Sequence, residues 1–236
     1  MEVQFAVAKV RKYAMSESGD TLEMIERPHG GISLVLADGQ RSGKSAKNIS
    51  NVVVRKAIQL LGEGVRDGAA ARAAHDYLFA YRGGKVSASL NILSVDARTK
   101  TLVISRNNPA PVILHTRDAG LQLIDAPSES VGTRMNVKPH ITELPLEPGL
   151  FCVAATDGLF HAGKMGSSDL FKPLAALSEL MATGIYNAQA MADHLLHGAL
   201  EKYDHRPKDD ISVVIVAVFA NESESIVRRL NGRIAL

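Results

Sequence analysis

The spacing of apolar positions along the chain predicts strands first and helices after them. Residues 3–9 and 22–26 alternate with the period of a strand, and residues 32–37 form a continuous apolar run of strand length. Residues 45–61 carry apolar side chains at helical spacing, and residues 68–81 are rich in alanine; glycines follow both segments, where helices commonly end. The chain therefore begins with three predicted strands and continues with two predicted helices.

The middle of the chain offers only short apolar runs that are separated by turn residues. Strands are predicted there at 86–95, 101–105, 111–115, 121–124, 140–144 and 150–155. Helices at 170–181 and 187–203 and a strand at 211–219 follow, and the tail 221–236 fits a short helix or an edge strand. Successive short strands favour antiparallel pairing, so the order of elements predicts an α+β fold, a sandwich of two antiparallel β-sheets flanked by α-helices.

Length and composition favour a single domain over residues 1–236. The chain has 46% hydrophobic and 22% charged residues, and no Pro/Gly/Ser-rich linker divides it. A net charge of +2, with no basic run interleaved with aromatics, argues against a nucleic-acid partner. No window of about 18 apolar residues occurs, so we expect no membrane partner and a cytoplasmic location. Cys152, the single cysteine, lies in an apolar run and is expected to be a buried thiol.

Acidic residues stand beside three of the predicted strands. Asp38 and Asp157 each follow an apolar run, Asp209 and Asp210 precede the last run, and Asp20 is a fourth acidic position. Carboxylates that are brought together repel one another and must be desolvated, so such a cluster requires cations. Oxygen ligands without a His/Cys cluster select Mg²⁺ or Mn²⁺ over zinc. Taken singly, an Asp-Gly pair is more often a turn, but the recurrence beside strands favours a metal site.

A phosphate-binding loop is the competing interpretation of residues 38–45. The segment lies between a predicted strand and a predicted helix, as does the G-x-x-x-x-G-K-[S/T] motif of nucleotide triphosphatases. However, Asp38 occupies the position of the first glycine, and counting from Gly39 leaves three residues before Gly43 where four are required. The run of short strands also opposes this interpretation, because strands and helices alternate in nucleotide triphosphatases.

Four motifs follow one another along the chain. They are Ser18-Gly19-Asp20; Leu36-Ala37-Asp38-Gly39 with Ser42-Gly43-Lys44-Ser45-Ala46; Ala155-Thr156-Asp157-Gly158-Leu159; and Lys208-Asp209-Asp210-Ile211-Ser212-Val213-Val214. In this order and spacing they resemble the motifs of PPM-type metal-dependent Ser/Thr protein phosphatases, and most closely those of the bacterial SpoIIE-type branch. The resemblance covers nearly the whole chain, from about Ser18 to Val218.

The resemblance implies two Mn²⁺ or Mg²⁺ ions as cofactors. By position, Asp38 would bridge both ions, Asp20 and the main-chain carbonyl of Gly39 would hold one, and Asp157 and Asp209 would hold the other. Such a pair of ions activates a water as the nucleophile and offsets charge on the transferring phosphoryl oxygens, so Asp38, Asp157 and Asp209 are the expected catalytic residues. No catalytic cysteine or Ser-His-Asp pattern is recognisable in the sequence.

Other positions near the motifs concern the substrate and the support of the ligands. Arg41 and Lys44 are candidate substrate-binding residues beside Asp38, although a basic loop at a helix start is more often only solvated. Asp210 is expected to support Asp209 through hydrogen bonds or to face solvent. Asn108 stands where the branch commonly has a histidine, and His161 where it commonly has an acidic residue. Both departures affect substrate orientation rather than the metal ligands.

Two classes of function remain open at this point. The first is a phosphatase that acts on phosphoserine or phosphothreonine of a protein in bacterial signalling, such as sigma-factor partner switching or the stress response. Its partner would be an anti-sigma-factor antagonist or a stress-signalling scaffold. The second is a degenerate relative that keeps the fold and binds a partner without turnover. The presence of every proposed metal ligand favours the enzyme.

Overall fold

The computed structural model describes residues 1–28, 30–163, 170–184, 186–221, 227–230 and 232–233, and within these ranges the chain forms ten strands and five helices. The strands are β1 (Glu2–Val10), β2 (Asp20–Glu26), β3 (Ile32–Gly39), β4 (Ala88–Asp96), β5 (Thr101–Asn107), β6 (Val112–Thr116), β7 (Gly120–Ile124), β8 (His140–Pro145), β9 (Phe151–Ala155) and β10 (Ile211–Phe219). The helices are α1 (Gly43–Gly62), α2 (Asp67–Arg82), α3 (Asp157–Phe160), α4 (Pro173–Ala182) and α5 (Ala188–Lys202).

The described strands form two five-stranded sheets. The first sheet has the order β1-β10-β9-β6-β7 and the second has the order β2-β3-β4-β5-β8. Every pairing between these strands is antiparallel. The predicted fold, a sandwich of two antiparallel sheets flanked by helices, is therefore confirmed.

Helices cover both outer faces of the sandwich, which explains the continuous apolar runs in its central strands. In β3, Leu34 and Leu36 pack against the other sheet, whereas Val35 and Ala37 pack under α1 and α2. In β10, alternate residues likewise face the sandwich core and the layer formed by α4 and α5. A strand that is buried on both faces loses the apolar-polar alternation of a strand with one solvated face.

The sheet pairing argues against the phosphate-binding loop that residues 38–45 could have formed. β3 lies antiparallel between β2 and β4, whereas the strands of nucleotide triphosphatases alternate with helices in mainly parallel sheets. Cys152 is fully buried in the core between the sheets, as the sequence predicted, and burial raises the pKa of its thiol. Among the described residues, no helix is long and apolar enough to span a membrane.

The structure differs from the sequence prediction at several element boundaries and in one additional helix. Helix α4 begins at Pro173 rather than at residue 170, because proline is favoured in the first turn of a helix, where its missing N–H is not needed. The one-turn helix α3 lies inside the third motif and was not predicted. The prediction for the tail falls largely on 222–226, 231 and 234–236, outside the described residues; Val227 and Leu230 are exposed and lie in no helix or strand.

Candidate metal centre

Asp20 and Asp38 lie opposite each other on neighbouring strands of the second sheet. Asp20 is the first residue of β2, and it pairs with Asp38 near the end of β3. Directly opposed residues of an antiparallel pair project from the same face of the sheet, so their carboxylates are neighbours. The strand register thus brings together two of the predicted metal ligands, which are eighteen positions apart in the sequence.

Asp157 and Asp209 reach the same end of the sandwich from the first sheet. Asp157 follows the end of β9 as the first residue of α3, and Asp209 precedes the start of β10. These two strands are antiparallel neighbours, so the end of β9 meets the start of β10. The charges of Asp20, Asp157 and Asp209 all act on Asp38. The structure therefore gathers all four predicted carboxylates at one end of the sandwich.

The Asp20 side chain is buried and connects the two sheets. Its Oδ2 accepts hydrogen bonds from Ser212 Oγ at 2.6 Å and from Thr156 Oγ1 at 3.1 Å. The Ser212 N–H in turn donates to Thr156 Oγ1 at 3.0 Å, which orders the three residues. Asp20 Oδ1 is also buried but has no hydrogen-bond partner among the described residues. One oxygen is therefore held by the protein, while the other is free to bind a ligand.

Asp210 positions the first motif rather than facing solvent, which corrects one of the two expectations for this residue. Its side chain is buried, and it accepts hydrogen bonds from the N–H groups of Lys12 and Gly19, both at 2.8 Å. The other expectation, support of Asp209, is met by the main chain, because the Asp210 N–H donates to Asp209 Oδ1 at 2.9 Å. Asp210 thus ties the start of β10 to the loop that carries Asp20.

Two glycines of the Asp-Gly pairs are required by close packing. A Cβ on Gly39 would lie 2.0 Å from the carbonyl oxygen of Ala46, so a glycine allows α1 to pack against the end of β3. A Cβ on Gly158 would lie 2.2 Å from the carbonyl oxygen of Asp210. Neither glycine has a positive φ. These pairs are therefore not ordinary turns but contacts that bring the motifs together.

The electrostatics of the carboxylates favour a bound cation. Burial, followed by the charges of Asp20, Asp157 and Asp209, raises the pKa of Asp38 to about 9. Burial also raises the pKa of Asp20 to about 6, against the hydrogen bonds from Ser212 and Thr156. The pKa of Asp209 is raised by burial and then by the charge of Asp157. Without a cation, the folded protein therefore favours protonated carboxyl groups at this site.

A cavity of about 540 Å³ opens beside these carboxylates. Its lining includes Asp38, Asp157 and Asp209, together with Arg41 and His161. The exposed Lys44 is not part of the lining, so the structure brings only one of the two predicted substrate-binding residues to the cavity. Nδ1 of His161 lies 3.9 Å from Asp157 Oδ2.

Asn108, which stands where the resemblance led us to expect a histidine, is buried at the wall of this cavity. Its Nδ2 donates to the carbonyl oxygen of Ala155 at 3.2 Å, and its Oδ1 accepts from the Ala110 N–H at 2.9 Å. Asn108 thus fixes the loop between β5 and β6 to the end of β9. Both of its polar ends are used within the protein, which gives it a structural role in the cavity wall.

The donor set fits a hard divalent cation, although no complete ligand shell is preformed. Within the described ranges, no three His, Cys, Asp or Glu side chains already converge as a metal-binding group. Two buried carboxylate oxygens nevertheless lack hydrogen-bond partners among these residues: Asp20 Oδ1 and Asp157 Oδ1. Buried carboxylate oxygens without partners are costly unless a cation binds them, and oxygen ligands suit Mg²⁺ and Mn²⁺. The residues present therefore fit such ions.

Sequence reasoning missed the hydroxyl groups that hold Asp20. Thr156 directly precedes Asp157, and Ser212 lies two positions after Asp210. A small hydroxyl side chain at such a position is a signal that could have been read as support for a buried carboxylate. Which carboxylate each would hold depends on how the two sheets stack, and the sequence pattern does not contain that information.

Comparisons with known proteins agree with this geometry. The family model described as stage II sporulation protein E (SpoIIE) matches residues 28–219. A structure of the PP2C phosphatase domain and a regulatory fragment of SpoIIE from Bacillus subtilis superimposes with a TM-score of 0.77 at 18% identity. That match covers 94% of this chain and 64% of the other, so the chain spans about two thirds of that structure's length. No curated protein sequence matches the chain.

Two other solved structures share the fold. The RsbU and RsbW domains of a Mycobacterium tuberculosis protein match with a TM-score of 0.71 and 17% identity over 94% of this chain and 61% of theirs. The catalytic domain of the serine/threonine phosphatase PstP, solved with two manganese ions, matches with a TM-score of 0.66 and 20% identity over 92% and 99% of the two chains. At these identities the likeness establishes the fold.

Proposed function

The chain belongs to the stage II sporulation protein E family, and from that premise we propose that it is a metal-dependent protein phosphatase that hydrolyses phosphoserine or phosphothreonine. The observation that carries this proposal is the gathering of Asp20, Asp38, Asp157 and Asp209 at one end of the sandwich, with two buried carboxylate oxygens unpartnered among the described residues. Two Mn²⁺ or Mg²⁺ ions, when bound there, would activate the attacking water and offset charge on the phosphoryl oxygens.

The residues of this chain have separate roles in the proposed site. Asp38 would bridge the two ions, Asp20 and the carbonyl of Gly39 would hold one, and Asp157 and Asp209 the other. Ser212 and Thr156 fix Asp20 Oδ2, which leaves Oδ1 to bind. Because Asp38 favours its protonated form without a cation, binding would displace its proton, and affinity should increase with pH.

The substrate would enter the cavity beside Asp38. Arg41 lines this cavity, and its guanidinium group can pair with phosphate oxygens. Lys44 lies outside the lining, so its positive charge would attract the substrate only at longer range.

The proposed cellular role rests on similarity to the family and not on the geometry of the site. We propose that the phosphatase domain comprises residues 1–236, acts in the cytoplasm and takes part in bacterial signalling. Its substrate would be a phosphorylated protein such as an anti-sigma-factor antagonist or a stress-signalling scaffold. Support comes from the likeness to SpoIIE and to the RsbU and RsbW domains, whose identities of 17–18% establish fold alone.

A degenerate, non-catalytic relative is the second candidate. The buried carboxylate oxygens without hydrogen-bond partners speak against it, because a protein that had lost its ions would be free to replace them with neutral groups. The retained carboxylates therefore support an active enzyme.

Phosphate release from p-nitrophenyl phosphate and from a phosphoserine peptide tests the proposal. We expect turnover that requires added Mn²⁺ or Mg²⁺ and that a chelator abolishes. Asp38→Asn, purified in the same way, controls for contaminating phosphatases. A protein that binds Mn²⁺ by calorimetry but releases no phosphate from either substrate would instead support the non-catalytic regulator.

A further inference from the structure

Two lysine side chains converge on a single main-chain oxygen beside the carboxylates. Lys9 Nζ donates to the carbonyl oxygen of Asp20 at 2.6 Å, and Lys47 Nζ donates to the same oxygen at 2.7 Å. Lys9 comes from β1 of the first sheet and Lys47 from α1, which covers the second sheet. Three elements of the fold thus place two ammonium groups at the residue proposed to hold a metal ion.

Two ammonium groups at one oxygen repel each other, so this arrangement needs nearby negative charge. Burial and the charge of Lys47 lower the pKa of Lys9, whereas the charges of Asp20, Asp210 and Asp38 oppose that shift. Lys9 therefore lies within electrostatic reach of the carboxylates, and Lys47 shares its acceptor oxygen. Their charges offset part of the carboxylate repulsion in the metal-free protein.

Anchoring the first motif does not by itself explain both lysines. The Gly19 N–H is already held by Asp210 at 2.8 Å, and its carbonyl oxygen accepts from Ser50 Oγ at 2.6 Å. The Asp20 side chain is held by Ser212 and Thr156. A neutral donor could satisfy the remaining carbonyl, and one lysine would suffice. The distinctive contribution of the pair is its charge.

We propose that Lys9 and Lys47 are positioning residues that lower the affinity of the site for divalent cations, by holding two positive charges against the main chain of Asp20. This inference rests on the proposed function, because it concerns the same metal ligands. The lysines act on the ions through space and through Asp20, and they contact neither substrate nor water nucleophile. Their effect would stabilise the metal-free protein and keep ion binding reversible.

The sign of the change in affinity separates this role from simple anchoring. If charge dominates, Lys47→Met removes a cation that repels the ions, and Mn²⁺ should bind roughly tenfold more tightly. If the lysine only anchors the carbonyl, the same change loosens Asp20 and Mn²⁺ should bind more weakly. Lys47→Arg keeps the charge and a donor, so its affinity should stay near that of the wild type.

The experiment is titration of the full chain with Mn²⁺, followed by calorimetry, with thermal unfolding measured in chelator and in excess Mn²⁺. Lys9→Met and Lys47→Met should both bind more tightly, unfold at a lower temperature without metal and gain more from added Mn²⁺ than the wild type does. Lys56→Met is the matched control: it makes the same change of charge on α1, where Lys56 lies over the Tyr77 ring at 5.9 Å, and its affinity should not change.

Weaker binding by both methionine variants would overturn the proposal, and so would equal tightening by Lys56→Met, which would indicate a general effect of net charge. If Lys47→Met does not fold, Lys9→Met, at a residue with an exposed side chain near the end of β1, decides the question alone. Failure of the wild type to bind any Mn²⁺ would be a different result, since it would refute the proposed metal site rather than the role of the lysines.

Discussion

Asp20 and Asp38 face each other across β2 and β3, and the pKa of Asp38 is raised to about 9 by burial first and then by the charge of Asp20. Like charges directly opposite in an antiparallel pair destabilise a sheet. Repulsion between the two carboxylates therefore destabilises the metal-free protein, and a bound cation would relieve it.

The first prediction concerns Asp38→Asn in the absence of metal. An acid whose pKa is raised on folding stabilises the protein fully below its unfolded pKa, near 4, and this contribution is lost as pH rises through about 9. The metal-free wild type should thus lose stability between these values, whereas the asparagine cannot ionise. At pH 8 the variant should be more stable by on the order of 1–3 kcal/mol, although it has no phosphatase activity.

Urea unfolding in chelator at pH 5 and pH 8 measures this effect. The exposed turn residue Asp118 supplies a control, because Asp118→Asn removes a carboxylate that lies away from the cluster. A metal-free Asp38→Asn protein that is less stable than the wild type at pH 8 would contradict the raised pKa.

The second prediction concerns Ser212→Ala. Ser212 Oγ donates the shorter of the two hydrogen bonds that Asp20 Oδ2 accepts, so its loss should release the carboxylate and weaken Mn²⁺ binding by about 1–2 kcal/mol. Ser105→Ala is the matched control, since Ser105 is also buried in a strand but its Oγ has no hydrogen-bond partner among the described residues. Calorimetry with Mn²⁺ should show a change for Ser212→Ala alone; equal losses in both variants would indicate general loosening of the sheets.

The fold could be predicted from the sequence because the apolar pattern of each strand and helix lies within one short segment of the chain. The run at 32–37 became β3, and the helical spacing at 45–61 became most of α1. The motifs also identified carboxylates that the structure gathers at one end of the sandwich. Asp and Gly beside a buried strand are visible in a single stretch of sequence, so these features needed no knowledge of the sheet order.

The supporting residues were not predictable in the same way. Lys9 lies in an alternating strand and Lys47 in an amphipathic helix, where each fits an ordinary solvated position. They meet at Asp20 only because β1 pairs with β10 while α1 packs on β3. The buried side chain of Asp210 was also misjudged, because its partners come from different sheets. Lys12 follows β1 and Gly19 precedes β2, so both lie close to Asp210 only when the two sheets pack together.

The third prediction tests whether Asp157 and Asp209 hold the same ion. Asp157→Asn and Asp209→Asn should each remove most activity, and the double variant should lose little more, because residues that act as one unit are not additive. Initial rates with p-nitrophenyl phosphate at saturating Mn²⁺ measure the losses, and circular dichroism checks the fold. A double variant whose loss of activity equals the product of the two single losses would argue against a shared ion. Near-normal turnover in either single variant would indicate that its aspartate serves only as a turn residue.

The last prediction concerns how much Arg41 and Lys44 each contribute to substrate binding. Variants of the same two residues also test the nucleotide-binding alternative. Arg41 lines the cavity beside Asp38 and Lys44 does not, so Arg41→Gln should raise KM for a phosphopeptide roughly three- to tenfold, with a smaller change in kcat. Lys44→Ala should have a weaker effect on KM, because an exposed charge outside the cavity is screened by solvent.

A phosphate-binding loop reverses this ranking, since its lysine contacts the nucleotide phosphates and an aspartate at position 38 would repel them. Asp38→Gly should therefore abolish phosphate release if Asp38 bridges two ions, whereas it should improve ATP binding if the loop binds nucleotide. Steady-state kinetics and ATP titration of Arg41→Gln, Lys44→Ala and Asp38→Gly distinguish the two. ATP binding that depends on Lys44 and survives Asp38→Gly would overturn the proposed phosphatase function. The antiparallel pairing of β3 leads us to expect no such ATP binding.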